Sequence, residues 1–302
     1  MAFTAKDVQN LRAATGCGMM DCKKALTEAN GDVEKATEIL REKGLAAATK
    51  KAGRIAAEGT VYAYTDEAKK VGVLIEVNAE TDFVAKNDEF MKFVKVCAEI
   101  VAEQNPADVD ALLKVEKDGQ TVEAMLQDKI LTIGENIKVR RFVRMEGVVS
   151  SYIHGGGRIG VMVQFDTSDD VAAKDEFKAY GKDVAMQVAA MNAEYVDSKA
   201  VPAEIVDKEK EILTAQAVAE GKPEAIAQKM VMGRINKFFK EVCLVDQAFI
   251  KDDSINIATY TKNTAAALGG EIAIKGFVRF EKGEGLEKRE DNFADEVASM
   301  VK

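Results

Sequence analysis

The feature that most constrains the fold of this chain is an internal repeat whose matching residues stand 87 or 88 positions apart. Two copies of one module are expected to share a fold, so each copy helps to interpret the other. The matched segments are Glu58-Gly59 with Glu146-Gly147, Val71-Gly72-Val73 with Ile159-Gly160-Val161, and Asp88-Glu89-Phe90 with Asp175-Glu176-Phe177. The core of the chain is therefore predicted to be a duplicated unit.

One position of the repeat changes its chemistry between the copies. Val84 matches Val171, but Phe83 falls opposite Asp170. A buried position would not accept a carboxylate in the second copy, because burying an unpaired charge costs free energy. We therefore expect Phe83 to be exposed, and an exposed aromatic ring beside the acid Asp82 suggests contact with another molecule.

Each copy is predicted to contain two β-strands, a helix and, later, a closing strand. Segments 60–64 and 71–77 are rich in Val, Ile and Tyr and are separated by a polar turn, which is typical of a β-hairpin. Apolar residues at a spacing of three or four predict an amphipathic helix over 90–101. The closing strands 137–146 and 272–281 stand 135 residues apart. The corresponding segments of the second copy are 148–152, 159–165 and 177–188.

The difference between the two spacings, 135 and 88, leaves 47 additional residues in the second copy. Pro202 suits the first turn of a helix, and a second helix follows after Pro223. The insertion is therefore predicted to be an antiparallel helical hairpin. Two β-layers covered by helices make the predicted fold class α+β with a pseudo-twofold body.

The first 53 residues are predicted to form three short helices. Thr4 caps the first, the second covers 20–28, and the third covers 32–42 and ends at Gly44. A basic linker over 50–54 follows. The residues expected to face inward are Val8, Leu11, Ala14, Leu26, Val33, Ala36 and Leu40.

These elements predict a division of the chain into five parts. The parts are a three-helix head (1–53), a first core subdomain (54–146), a second core subdomain (147–197 and 234–285), the inserted hairpin (198–233) and a C-terminal module (286–302).

Composition limits the kind of partner. The chain has 302 residues, of which 47% are hydrophobic and 31% charged, as in ordinary globular proteins. There is no apolar run of membrane-spanning length, and the N-terminus does not resemble a signal peptide, so we expect a cytoplasmic protein. The net charge is −9, with +3 in residues 1–54. An acidic body argues against nucleic acid as the main partner, whereas the basic head suits an acidic protein surface.

The sequence contains a single histidine and no recognisable catalytic motif. The phosphate-binding motif Gly-x-x-x-x-Gly-Lys-Ser/Thr does not occur. The segment His154 to Gly157 is similar to the oxyanion loop of some esterases, but no Gly-x-Ser-x-Gly elbow accompanies it. A glycine-rich turn between strands and a contact of His154 with a partner both stay open. The four cysteines are predicted to be buried thiols. We therefore predict a binding protein, not an enzyme, with no cofactor and no metal site.

Long motifs along essentially the whole chain resemble the elongation factor Ts family. The motifs are Thr15-Gly16, Gly18 to Leu26, Glu76-Val77-Asn78, Thr81 to Lys86, His154 with Arg158 to Val161, and Phe280 to Gly285. The glycine-rich turn 154–158 is longer than the family pattern, which bears on where His154 lies.

The resemblance implies a guanine-nucleotide exchange factor for the GTPase elongation factor Tu, with a head like a ubiquitin-associated domain. It implies that Thr81, Asp82, Phe83 and Val84 disturb the Mg²⁺ and phosphate region of the GTPase. Thr81 is alternatively expected to cap the following short helix. Nucleotide is not expected to bind this chain directly.

The resemblance also implies a set of partner-binding residues. These residues are Arg12, Met19, Met20, Lys23, Lys51 and His154. For two of the positions a structural role stays open, since Met19 and Met20 can pack the start of a helix. Lys23 can likewise be a solvated charge.

Two other functions compete with nucleotide exchange. One is a passive interaction module that forms a homodimer through the hairpin. The other is an RNA-binding translation factor that uses the lysines of the head, and it requires salt-sensitive RNA binding. Those lysines are Lys23, Lys24, Lys50 and Lys51.

Overall fold

The structure is a computed structural model that describes residues 3–221 and 224–287. The head consists of three helices: α1 (Ala5–Thr15), α2 (Met19–Glu28) and α3 (Val33–Lys51). Thr4 caps α1 as predicted, because its hydroxyl oxygen accepts a hydrogen bond from the amide of Asp7. Gly16 adopts the left-handed conformation that ends the helix, with φ of 70°.

The two halves of the core follow. The elements of the first half are β1 (Glu58–Asp66), β2 (Val71–Ala79), α4 (Asp88–Gln104), α5 (Val109–Leu113), β3 (Glu116–Lys117), β4 (Gln120–Thr121), α6 (Val122–Ile133) and β5 (Lys138–Glu146). Those of the second half are β6 (Val148–His154), β7 (Ile159–Thr167), α7 (Asp169–Ala172), α8 (Asp175–Met191), α9 (Ala203–Ala219), α10 (Glu224–Val242), β8 (Ala248–Phe249), β9 (Asp252–Asn256), α11 (Ile257–Leu268) and β10 (Ile272–Glu281). The α+β fold class is confirmed.

The repeat extends further than the sequence motifs suggested. Helices α6 and α11 begin and end 135 residues apart, and left-handed glycines, Gly134 and Gly269, end both. The strands are connected identically, in the orders β1-β2-β5 and β6-β7-β10, all antiparallel. Arg140 and Lys275 form bulges at equivalent positions of the closing strands.

The two sheets pack face to face, and a helix covers the outer face of each. The contact between the sheets includes Val61, Leu74, Met162 and Phe280, all buried. Helix α4 covers β1 and β2, and α8 covers β6 and β7. Strand β2 is consequently buried on both faces along its whole length.

Three predictions about the head are wrong. Helix α3 continues through Gly44, where a Cβ would lie 3.5 Å from the carbonyl oxygen of Gln127 on α6. Packing of α3 on α6 outweighs the helix-breaking tendency of glycine, which is about 1 kcal/mol. The basic segment that begins at Lys50 is thus partly helical. Val33 and Ala14 are exposed, because they lie near helix ends that the other helices do not cover.

The insertion forms two helices, α9 and α10, that pack along each other. Their shared core contains Leu213, Val231 and Ile235. Pro202 precedes the helix as its N-cap residue and does not lie within the first turn. Helix α10 ends at Val242, so its last residues belong to the part of the chain assigned to the second core subdomain (234–285). The part of the predicted C-terminal module that follows Glu287 lies outside the described residues.

A buried carboxylate ties the first sheet to the end of the last strand. Glu76 on β2 is fully buried. Its oxygens accept hydrogen bonds from Asn78 (3.0 Å), Arg140 (2.9 Å), Arg141 (2.7 Å) and the amide of Gly283 (2.8 Å). Burial alone would raise the pKa of Glu76, but these donors outweigh it and hold the pKa below its usual value.

Because the pKa of Glu76 is lower in the folded protein, its stabilising effect is present above pH 4.5 and is lost as pH falls further. We expect Glu76→Gln to lower the free energy of unfolding at pH 7 by about 3 kcal/mol, since it leaves two arginines without their buried partner. Urea unfolding of the wild type and of Glu76→Gln, at pH values from 7 to 3, measures these free energies of unfolding. The difference in the free energy of unfolding between the wild type and Glu76→Gln should shrink in acid. Glu38→Gln, at an exposed position on α3, is the control. A loss that does not depend on pH would contradict the prediction.

Gly160 permits close approach of the sheets. A Cβ there would lie 2.4 Å from Cγ1 of Val61 and 2.9 Å from Cδ1 of Leu74. We expect Gly160→Ala to destabilise the protein by about 1–3 kcal/mol through overpacking. Gly276→Ala, on a neighbouring strand with open space around it, should be close to neutral. Thermal unfolding compares the stability of the two variants with that of the wild type. Equal losses of stability in both variants would refute the explanation by overpacking.

Candidate functional site

The loop 80–83 lies where β2 emerges from the core. Phe83 is 79% exposed, which makes it the most exposed large apolar side chain among the described residues. The prediction of an exposed ring is confirmed. Its neighbour Val84 is buried against the core of the first half, and so is the equivalent Val171 in the second half. Val84 therefore anchors the loop, while Phe83 projects from it.

Hydrogen bonds cap the helix that follows Phe83. Val84 begins a single 3₁₀ turn that ends at Lys86. Asn87 then caps α4, because its side-chain oxygen accepts hydrogen bonds from the amides of Glu89 (2.9 Å) and Phe90 (3.2 Å). Both ends of the loop are thus attached to buried elements.

A carboxylate from the α6–β5 connection holds the front of the loop. Glu135 accepts hydrogen bonds from the amides of Glu80 and Thr81, each at 3.0 Å, and from the Thr81 hydroxyl at 2.6 Å. Glu80 in turn accepts from the amide of Asn136 (2.6 Å) and from Arg54 (3.4 Å). The expectation that Thr81 caps the following short helix is wrong. That turn begins only at Val84, and the Thr81 hydroxyl points to Glu135.

The acidic residue of the loop differs from its counterpart in how it is paired. Asp82 lies 3.8 Å from Lys86, and both side chains are largely exposed. The equivalent Asp169 receives two hydrogen bonds of 2.7 Å from Lys70 in the first half of the core. Exposed pairs such as Asp82 and Lys86 contribute about 0–1 kcal/mol. Asp82 can therefore exchange its lysine for a group on a partner at little cost.

The head presents most of the predicted contact residues to solvent. Met19 and Met20, at the start of α2, are 40% and 61% exposed, and Arg12 and Lys23 are also exposed. Packing of the helix start therefore does not account for Met20.

Lys51 is different from the other predicted head contacts. Its ammonium donates to the carbonyl of Ile130 on α6 at 3.2 Å. Burial, reinforced by Arg54, lowers the pKa of Lys51. This lysine joins the head to the core.

The head and loop 80–83 both contact the end of α6 or the residues that follow it. A Cβ on Gly16, just before α2, would stand 3.8 Å from Thr132 near the end of α6. The same helix leads directly to Glu135, which holds the loop. The exposed start of α2 and the exposed Phe83 are therefore connected through α6.

His154 ends β6 and is exposed, with its Nδ1 3.0 Å from the hydroxyl of Tyr152. The glycine-rich turn that follows packs on the first sheet, where the carbonyl of Gly157 accepts from the amide of Val61 at 2.8 Å. Val61 lies on β1 opposite Glu76, near the end of β2. The fold thus brings the turn and the loop 80–83 to the same end of the first sheet.

Sequence reasoning missed the two acids, Glu80 and Glu135, that fix the loop. They are 55 residues apart, and no local pattern connects them. The prediction for the cysteines is confirmed, because all four are buried free thiols. Within residues 3–221 and 224–287, no helix has both the length and the hydrophobicity needed to span a membrane.

The sequence of this chain is similar to those of known proteins. The family model described as Elongation factor TS matches residues 80–284. Elongation factor Ts of Clostridium perfringens is 55% identical over 99% of both chains. Elongation factor Ts of Symbiobacterium thermophilum is 51% identical over 98% of this chain and 97% of its own.

These matches define the class of the protein as a translation elongation factor that acts in protein biosynthesis. The chain belongs to the elongation factor Ts family.

Proposed function

We propose that this chain is a guanine-nucleotide exchange factor. It binds elongation factor Tu in complex with GDP and promotes release of GDP, which allows GTP to bind. Membership of the elongation factor Ts family supports this proposal. The observation that carries it is the exposure of Phe83 on a loop whose two ends are fixed to the core.

The physical basis is the way a GTPase holds GDP. The nucleotide is bound largely through its phosphates and a hydrated Mg²⁺, which requires near-ideal octahedral geometry. An apolar ring inserted nearby displaces the elements that orient the ion and its waters. Phe83 is the wedge, Asp82 hydrogen-bonds or repels within the same region, and Val84 keeps the loop attached to the core.

The head supplies affinity rather than exchange. Met19 and Met20 form an exposed apolar pair, and Arg12 and Lys23 add positive charge around it. Interfaces concentrate their binding energy in a few such apolar contacts, with charges at the rim. Contact of His154 with the partner and a homodimer through α9 and α10 stay predictions.

Exchange of this kind makes and breaks no covalent bond, so the protein is not an enzyme in the chemical sense. Binding of the chain and binding of GDP to the GTPase are thermodynamically linked. If the chain raises the dissociation constant of GDP by some factor, GDP raises the dissociation constant of the chain by the same factor. The complex can therefore form and dissociate in either direction. We place this activity in the cytoplasm, with no cofactor and no nucleotide bound directly by the chain.

We expect Phe83→Ala to lower the maximal rate of stimulated GDP release by at least about tenfold, since truncating a central aromatic contact costs about 2 kcal/mol or more. The measurement is release of a fluorescent GDP from elongation factor Tu at saturating concentrations of the chain. Val218→Ala, which truncates a 64% exposed apolar side chain on α9, serves as the matched control. An unchanged maximal rate for Phe83→Ala would eliminate the wedge.

We expect the double variant Met19→Ala/Met20→Ala to raise the dissociation constant for the GTPase by about fivefold or more, as for truncation of interface contacts worth 1 kcal/mol. The maximal release rate should stay near the wild-type value, because Phe83 is unaltered. Val33→Ala, another half-exposed apolar residue of the head, is the control. Titration calorimetry would reject the gripping role of the head if all three chains bound with equal affinity.

A further inference from the structure

The loop that carries Phe83 is longer than its counterpart in the second half. Between the end of the second strand and the buried valine stand four residues, 80–83, in the first half and three, 168–170, in the second. Residues 169 and 170 lie within α7, whereas residues 80–83 lie in no helix or strand. The exposed loop therefore lacks the helical hydrogen bonds that its counterpart makes, and something else must hold it.

Glu135 is placed to do this. Its carboxylate accepts two backbone amides and one hydroxyl from consecutive residues of the loop, Glu80 and Thr81. The reciprocal bond, from the amide of Asn136 to Glu80, ties the same two segments together again. Hydrogen bonds to a charged acceptor are stronger than those between neutral groups.

The second half has no carboxylate at this place. The residue that corresponds to Glu135, 135 positions later, is Gly270, and left-handed glycines precede both. A Cβ on Gly270 would lie 2.5 Å from Cγ2 of Val171, so the shorter loop leaves no room for a side chain. The longer loop and the bracing carboxylate occur together, in the copy that bears the exposed ring.

We propose that Glu135 is a positioning residue for nucleotide exchange, which acts through Phe83 by holding loop 80–83 in its projecting conformation. This inference rests on the proposed function and adds a residue to it. Phe83 makes too little contact with its own chain to be held by packing, so its direction depends on the backbone of Glu80 and Thr81. A ring that is oriented before binding avoids the entropic cost of ordering it in the complex.

The test compares Glu135→Ala with Glu135→Gln. The amide of Gln can still accept from the two backbone N–H groups through its oxygen and donate to the Thr81 hydroxyl, whereas Ala leaves all three donors without this partner. We expect Glu135→Ala to slow maximal stimulated GDP release roughly tenfold, as for loss of hydrogen bonds to a charged group. Glu135→Gln should restore most of the rate. Glu271→Ala, in the corresponding connection of the second half, is the control and should match the wild type.

Two further measurements separate positioning from general loss of structure. Amide hydrogen exchange of Glu80 and Thr81, measured on the chain alone, should accelerate in Glu135→Ala and not in Glu135→Gln. Adding Glu135→Ala to Phe83→Ala should slow release no further, because Glu135 acts through the ring. Thr81→Val removes one of the three bonds and should give an intermediate rate, which covers the case in which Glu135→Ala fails to fold.

The outcomes are distinct from a failure of the proposed function. If Phe83→Ala slows release and Glu135→Ala does not, positioning by Glu135 is wrong while the exchange function stands. Equal slowing by Ala and Gln, or an additional loss in the double variant, would also overturn positioning. If the wild-type chain does not stimulate release at all, the proposed function itself fails, and the hydrogen-exchange result still decides whether Glu135 orders the loop.

Discussion

The packing of two β-sheets against each other is the interaction on which the rest of this structure depends. It buries β2 on both faces, and so fixes the point at which that strand leaves the core. Glycines at equivalent positions, Gly72 and Gly160, face side chains of the opposite sheet at distances too short for a Cβ. Both copies thus require close approach of the sheets, and loop 80–83 starts from the end of a tightly packed strand.

Beyond that strand end, loop 80–83 is held by apolar contacts on one side and by hydrogen bonds on the other. Val84 holds the loop from behind by burial of apolar surface, and Asn87 fixes the start of α4 by a helix cap. Glu135 holds it from the front with polar contacts that reach across from another connection. The result is an exposed apolar side chain on a loop that is attached to the core at both ends.

Much of this could be predicted from the sequence, because the repeat supplies an internal comparison. The mismatch of Phe83 with Asp170 was sufficient to predict exposure, and the spacing of apolar residues predicted α4 and α8. What could not be predicted depends on contacts between distant segments. From the local sequence, Gly44 is predicted to end a helix, and only the packing of α6 against it explains why α3 continues. The partner of Thr81 lies 54 residues away, beyond the reach of any local pattern.

The ion pair between Lys70 and Asp169 has a consequence for how such a site can arise. After a duplication, one copy can keep a contact that joins the two copies, while the equivalent segment of the other copy is free to change. In the second copy, Asp169 pairs with Lys70 of the first half, whereas in the first copy the equivalent Asp82 pairs with Lys86 of its own segment and its neighbour Phe83 is exposed. The two copies therefore share one architecture and differ in whether this segment contacts the other half of the core or projects into solvent.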